Sequence, residues 1–249
     1  MLEGKKAVIT GGNSGIGYAT AKAFTEQGAN VIFTGRKVDA VSQAAQELGA
    51  TGIVADQANL DDIDKLVIEV QNQFGTIDIL FVNAGVFIPT PLGSISEEVF
   101  DQQMSINFKG AVFTLEKFLP VLKDGASVIN LSSVNAYTGM SNTAVYAASK
   151  AALNSFTRTA ATELAPRKIR VNAVNPGPIS TPIFGKSGLP EEALNDFATA
   201  IQNRIPLKQF GTPEAVAKLV TFLASDDAWF ITGGEYNIDG GININPLIG

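Results

Sequence analysis

Lys6-Ala7-Val8-Ile9-Thr10-Gly11-Gly12-Asn13-Ser14-Gly15-Ile16-Gly17 is the stretch on which the reading of the whole chain turns. Residues 6–10 read as a short buried strand. The glycines make a tight turn, and a helical pattern then runs through Gln27 and is closed by Gly28. A glycine-rich turn between strand and helix lets the backbone approach a pyrophosphate, and a helix N-terminus offers free N–H groups and a partial positive charge. The spacing is Gly-x-x-x-Gly-x-Gly rather than the common Gly-x-Gly-x-x-Gly. A well-capped loop would look the same in isolation. Its position at the head of a repeating strand–helix chain favours a nucleotide.

Working outward, buried-strand runs recur at 7–10, 30–35, 51–55, 77–82, 126–131, 170–175 and 235–239. They lack clean alternation, as expected of parallel strands covered on both faces. Helical patterns fall between and after them, at 15–27, 38–48, 60–74, 96–122 with a break near 100–103, 144–165 and 213–224. This alternation predicts an α/β fold: a single doubly wound Rossmann-type domain over 1–249, with a seven-stranded parallel sheet and helices on both faces. Residues 176–212 hold five prolines and a short helical pattern near 190–203. An insertion after a strand's carboxyl end lies beside the ligand crevice, so this segment is read as a substrate lid.

Composition narrows the function. A net charge of −6 and a pI near 4.8 argue against nucleic-acid or anionic-membrane partners. No apolar run approaches the roughly 20 residues that span a bilayer, and the five-residue first strand is too short for a secretory signal core. The chain has no cysteine, which removes disulfides and thiolate metal sites and suits a cytoplasmic protein. No metal site is expected.

Tyr146 and Lys150 are four residues apart in a helical pattern, and Ser133 lies thirteen residues upstream of Tyr146. Positions i and i+4 share a helix face, so phenol and ammonium can act on one site. A nearby cation favours the ionised phenol, which proton exchange with an alcohol requires. With no histidine present, tyrosine, lysine and carboxylates are the available acid–base groups. The Tyr–Lys pair alone is an ordinary helix-surface feature and takes its weight from the rest of the chain.

Taken together, these motifs resemble the short-chain dehydrogenase/reductase family from end to end. The resemblance implies a cofactor turn at Gly11, Asn13, Ser14, Gly15, Ile16 and Gly17. It implies an adenine contact at Asp56, for which a simple turn or cap role is an equal alternative. Asn83, Ala84 and Gly85 match the element after the fourth strand, with Val82 in place of a frequent asparagine. Asn107, Ser133, Tyr146 and Lys150 match the catalytic set, with Tyr146 and Lys150 also meeting the cofactor. Pro176, Gly177, Ile179 and Thr181 match the segment that meets the nicotinamide, and Asp239-Gly240-Gly241 the C-terminal element, where Asp239 is read as shaping a turn. In the implied chemistry, Ser133 and Tyr146 donate to a carbonyl oxygen. Tyr146 delivers the proton, Lys150 lowers the tyrosine pKa, and Asn107 refills the proton through a water.

The second strand ends at Gly35-Arg36-Lys37. NAD-preferring sites place a carboxylate there, whereas Gly35 offers no acceptor and Arg36 suits a 2′-phosphate. NADP(H) is therefore expected over NAD(H), although Asn13 is neutral. The pocket is expected to include Asn135, Met140, Ile183 and Phe184, with Tyr137 and Asn142 as further polar groups. That mix points to a reducer of a modest apolar ketone or aldehyde. A 3-oxoacyl-thioester reductase and a sugar dehydrogenase are the alternatives, and a non-catalytic dinucleotide sensor is the non-enzyme reading. The family resemblance also implies a homotetramer built on the helices at 102–122 and 144–165 and on the C-terminal strand region.

Overall fold

The structure is a computed structural model and describes residues 1–180 and 191–244. The strands are β1 (Lys6–Ile9), β2 (Asn30–Gly35), β3 (Thr51–Val54), β4 (Ile77–Val82), β5 (Leu122–Leu131), β6 (Arg170–Pro176) and β7 (Glu235–Ile238). The helices are α1 (Gly15–Glu26), α2 (Val38–Leu48), α3 (Leu60–Phe74), α4 (Glu97–Met104), α5 (Gly110–Phe118), α6 (Ala144–Leu164), α7 (Glu191–Arg204) and α8 (Pro213–Ala224). The strands form one seven-stranded sheet in the order β3-β2-β1-β4-β5-β6-β7, with every pairing parallel. This is the expected doubly wound sheet.

Alternation along each strand builds two cores, because successive side chains leave opposite faces. Ala7 and Ile9 of β1 join Phe33 and Phe81 and meet Phe24 of α1, Val41 of α2 and Val220 of α8. Val8, between them, joins Ile32 and Leu80 on the other face against Val70 of α3, Phe118 of α5 and Leu153 of α6. Phe24, Phe33, Phe81 and Phe118 are fully buried; each such side chain stabilises the fold by about 2–3 kcal/mol relative to exposure. Side-chain caps start the helices where the chain supplies them: Asn59 accepts from the Asp61 amide, Ser96 from Val99, and Thr212 from Ala215. Ser14, at the start of α1, makes no such bond.

Three boundaries differ from the sequence reading by more than a residue, one being the end of the long helical stretch, at Phe118 rather than 122. Strand β5 begins at Leu122 rather than 126, because Leu122 pairs with Ile77 across a register shift that lets the polar Lys123-Asp124-Gly125 step continue the strand. The long helical stretch is interrupted at Ser105–Lys109 rather than near 100–103, and the interruption is a π-turn. A π-turn inserts a residue without glycine or proline, so composition does not mark it. Between β1 and β4 the strand order reverses. The carboxyl ends of those two strands therefore open the crevice in which ligands of such sheets bind.

Candidate active site

The glycine turn sits in this crevice and is held from below. Gly11 and Gly15 adopt φ of +67° and +55°, the left-handed region that glycine tolerates best. Gly17 is required by contact: a Cβ there would lie 2.2 Å from the Gly11 carbonyl oxygen and 2.5 Å from Asn83 Nδ2. Asn83 Nδ2 donates to the carbonyls of Thr10 (2.9 Å) and Gly11 (3.0 Å), and Thr10 Oγ1 accepts from the amides of Asn83 and Ala84. Asn83 thus braces the turn from below. Ser14 is exposed, with its hydroxyl free of capping duty at the N-terminus of α1, and Ile16 packs partly buried against the core. These residues fit a dinucleotide pyrophosphate, which a helix N-terminus with an open backbone approach accepts.

At the end of β2, Gly35 is buried, and a Cβ on it would lie 2.5 Å from Asn13 Oδ1 and 2.8 Å from a Val41 methyl. A carboxylate can be placed there only if the Asn13 side chain and the Val41 methyl give way. Arg36 and Lys37 follow, both exposed. Asp56 accepts from the Ala58 amide through Oδ1 at 2.9 Å, and its own amide donates to Asp62 (3.1 Å). It shapes the entry to α3.

Ser133, Tyr146 and Lys150 come together at the carboxyl end of β5. The Ser133 hydroxyl faces the Tyr146 phenol and accepts from the Asn135 amide at 3.2 Å, which fixes its direction. The adjacent Ser132 is turned away and donates to the Lys150 carbonyl at 3.2 Å. Lys150 is 4% exposed. Its ammonium lies 5.8 Å from the Tyr146 ring centroid and donates to the Leu131 carbonyl at 2.8 Å. Gly85 closes the group, since a Cβ there would be 3.3 Å from Asn107 Oδ1 and 3.5 Å from Lys150 Nζ. Asn107 lies in the π-turn; its Oδ1 accepts from the Val86 amide (2.8 Å) and its Nδ2 donates to the Val86 carbonyl (2.9 Å) and Ser149 Oγ (3.3 Å).

Burial sets the protonation of this cluster. It pushes the Lys150 ammonium down to about 8, because a charged group loses hydration there. It also raises the Tyr146 phenol, and the Ser133 hydrogen bond only opposes that rise. The expected depression of the phenol by Lys150 is therefore not found in the chain alone. The ammonium faces a backbone carbonyl, and its own charge is disfavoured by burial. At neutral pH the phenol carries its proton, the form a general acid needs.

The substrate side is partly described. Asn135 and Met140 lie side by side, with Asn135 Nδ2 3.9 Å from the Met140 sulfur and Met140 46% exposed. Thr181, Ile183 and Phe184 lie outside the described residues. Tyr137 does not offer its hydroxyl to the pocket: it donates to Glu235 on β7 and accepts from Asn154 (3.0 Å) and Asn175 (3.3 Å). Glu235 is also paired with Arg158, and burial raises its carboxyl above the usual range. Asn142, at φ +65°, serves as a turn whose carbonyl accepts from the Thr90 amide (2.8 Å). Pro176 and Gly177 pack against the C-terminal element, where a Cβ on Gly177 would meet Asp239 Cα at 2.7 Å. Ile179 is buried in the core. Asp239 accepts from the Gly241 (2.9 Å) and Asn243 (3.0 Å) amides and so shapes a turn.

A family model described as enoyl-(acyl carrier protein) reductase matches residues 11–243. The chain belongs to the short-chain dehydrogenase/reductase family. It is 40% identical to a 3-oxoacyl-[acyl-carrier-protein] reductase of Thermotoga maritima over 98% of this chain and 99% of the relative. It is 32% identical to an NADP-dependent (R)-specific alcohol dehydrogenase of Lentilactobacillus kefiri over 96% and 97%. Among solved structures, a blue fluorescent protein from a metagenomic library, in complex with NADPH, superposes with a TM-score of 0.88 at 32% identity, covering 97% of this chain and 98% of that one. Family members are NAD(P)-dependent oxidoreductases, and this chain is one of them. Among the described residues no helix is long and apolar enough to cross a membrane.

Three buried or aromatic side chains near the site escaped the sequence reading. Gln57 donates to the Ala84 and Ile106 carbonyls (3.1 and 3.0 Å). Gln103 accepts from the Ile88 amide (3.0 Å). The Phe87 ring stands edge-on to Tyr146, with centroids 5.2 Å apart at 77°. An aromatic residue two places beyond Asn83-Ala84-Gly85 was the one signal available for Phe87.

Proposed function

We propose that this member reversibly reduces a ketone or aldehyde to an alcohol, with Tyr146 as the acid and base. The observation that carries the reading is the grouping of the Ser133 hydroxyl, the Tyr146 phenol and a buried Lys150, whose ammonium lies 5.8 Å from the Tyr146 ring, at the crevice mouth. The nicotinamide dinucleotide, when bound, supplies the hydride. Ser133 and Tyr146 donate to the substrate oxygen, where negative charge develops, and Tyr146 delivers its proton to that oxygen. Lys150 holds its ammonium near the Tyr146 ring and would bind the ribose hydroxyls of the cofactor, and Asn107 would link it to solvent through a water. Gly11–Gly17, Gly35, Arg36, Asp56, Asn83–Gly85, Pro176, Gly177, Ile179 and Thr181 form the cofactor side. Asn135, Met140, Ile183 and Phe184 form the substrate side.

NADPH is the preferred reductant in this reading. The close packing at Gly35 supports it, with Arg36 exposed beside that position. So do the NADP-dependent relative and the NADPH complex. The apolar Met140 and Phe87 favour a modest ketone. A 3-oxoacyl-thioester substrate is the second reading, favoured by the 40% identity to the Thermotoga reductase. Against it, Lys123 is paired with Asp78 and Arg167 with Asp124, which leaves little cation at that edge for an acidic carrier. The rest of the reading takes the chain as one domain, with 176–212 as the substrate lid, working in the cytoplasm as a homotetramer. Exposed Phe100 and Phe113 support a subunit contact on α4 and α5. A panel of ketones, aldehydes, glucose and a 3-oxoacyl thioester, run with NADPH and NADH, tests the proposal. Turnover of simple ketones with NADPH is expected, and turnover confined to the thioester or the sugar would replace it.

A further inference from the structure

Burial alternates along the segment after Gly85: Val86 and Ile88 are partly covered and Thr90 is buried, while Phe87 and Pro89 are exposed. That is the period of an extended chain, whose backbone groups at i, i+2 and i+4 also point to one edge. Here the edge partners are side chains. Asn107 takes both the amide and the carbonyl of Val86, and Gln103 takes the Ile88 amide at 3.0 Å. The Thr90 amide donates to the Asn142 carbonyl at 2.8 Å, and Thr90 Oγ1 accepts from the Val145 amide, next to Tyr146, at 3.2 Å. Gln103 and Asn107 are four residues apart, about 6 Å along a helix axis, which matches the roughly 6.6 Å between residues i and i+2 of an extended strand. Two helix amides thus replace a neighbouring strand.

Gln103 is fully buried, and its Nε2 has no hydrogen-bond partner among the described residues. A buried amide with an unmade bond is destabilising, so its placement opposes stability and calls for another reason. The geometry points to one: Gln103 is a positioning residue for the substrate side of the site. By holding the Ile88 amide it fixes the direction of the intervening Phe87, whose ring then stands edge-on to Tyr146 and forms the wall that meets the group carried by the substrate carbonyl. Phe87 is thus held from both sides, by Asn107 at Val86 and by Gln103 at Ile88. The inference rests on the carbonyl-reductase reading for its substrate consequence and on geometry alone for the clasp.

The test uses full-length Gln103→Met, which keeps the side-chain length and removes the acceptor, with Gln103→Glu as the variant that restores an acceptor oxygen. In wild type, hydrogen exchange at the Ile88 amide is expected to be slow, and NMR to show cross-relaxation between the Phe87 and Tyr146 rings. Gln103→Met should speed Ile88 exchange by about tenfold or more and weaken the ring contact, and Gln103→Glu should restore both. In kinetics, the kcat/KM ratio for acetophenone over 2-butanone should shift by about tenfold in Gln103→Met, mainly through ketone KM, with NADPH KM unchanged. In a Phe87→Ala background the same substitution should leave the ratio within about twofold, since the effect passes through Phe87. Fast Ile88 exchange in wild type, unchanged ring contact in Gln103→Met, or an equal ratio shift without Phe87 would each overturn the inference. Absence of ketone turnover in wild type would instead sink the carbonyl-reductase reading, and the exchange and ring measurements would still decide the clasp.

Discussion

Replacing Lys150 by methionine should cost the enzyme its activity and cost the cofactor-free fold little. Lys150 is 4% exposed, and burial holds its ammonium at about 8 against an ordinary 10.5. Between those values the unfolded chain binds a proton that the folded chain lacks, so wild-type stability rises with pH through this window. From pH 7.5 to 9.5 the gain from this one group is roughly 2 kcal/mol, at 1.36 kcal/mol per unit. Methionine keeps the stem and removes the buried charge, but the Leu131 carbonyl loses its 2.8 Å donor, a loss of about 1–3 kcal/mol. The two effects nearly cancel at pH 7.5, and the variant should lie within about 2 kcal/mol of wild type there. By pH 9.5 wild type should have gained roughly 2 kcal/mol on the variant. The chain has no histidine or cysteine, so few other side chains titrate in this window, and the α-amino group is common to both proteins. Urea unfolding of both, at matched protein concentration and with equal m-values, reads the difference directly. Parallel stability–pH curves, with the gap moving by less than about 0.5 kcal/mol, would refute a lysine held near 8.

Arg36→Ala should raise the KM for NADPH by about tenfold or more and leave that for NADH nearly unchanged, because only the 2′-phosphate needs the guanidinium; steady-state kinetics with both cofactors checks this. Gly17→Ala places a Cβ 2.2 Å from the Gly11 carbonyl oxygen. It should lower the melting temperature by several degrees, matching about 1–3 kcal/mol of strain, and weaken cofactor binding measured by nucleotide fluorescence. Glu235→Ala strips partners from Tyr137, Asn154 and Arg158 and should destabilise the fold by about 1–3 kcal/mol in urea.

What the sequence disclosed and what it hid follow from the range of the forces involved. The glycine turn was legible because a left-handed φ at Gly11 and a backbone approach at Gly17 leave glycine as a local signature. The sheet was legible because strands buried on both faces read as apolar runs. Ser133 could be told from Ser132 by its spacing to Tyr146, and the structure turns the two serines to different partners, the Asn135 amide and the Lys150 carbonyl. The π-turn at Ser105–Lys109 left no such mark, since its cause is a bonding shift, with the Gly110 amide reaching back to Ser105, and not a helix-breaking residue. Tyr137 was misread as a pocket group because its partner Glu235 is 98 residues away. The direction of the Tyr146 pKa depended on burial, which spacing does not reveal. Gln103 resembles any surface glutamine until the fold closes over it.

Turnover of Tyr146→Phe tests the central claim most directly. Phenylalanine keeps the ring that packs edge-on to Phe87 and removes only the hydroxyl that meets Ser133 and the reacting oxygen. The account predicts that kcat for ketone reduction falls by about 10²–10⁴-fold, with NADPH affinity within a few-fold of wild type by fluorescence titration. A variant that keeps more than about a tenth of wild-type kcat would contradict it, because general acid catalysis at this site would then contribute too little to carry the mechanism.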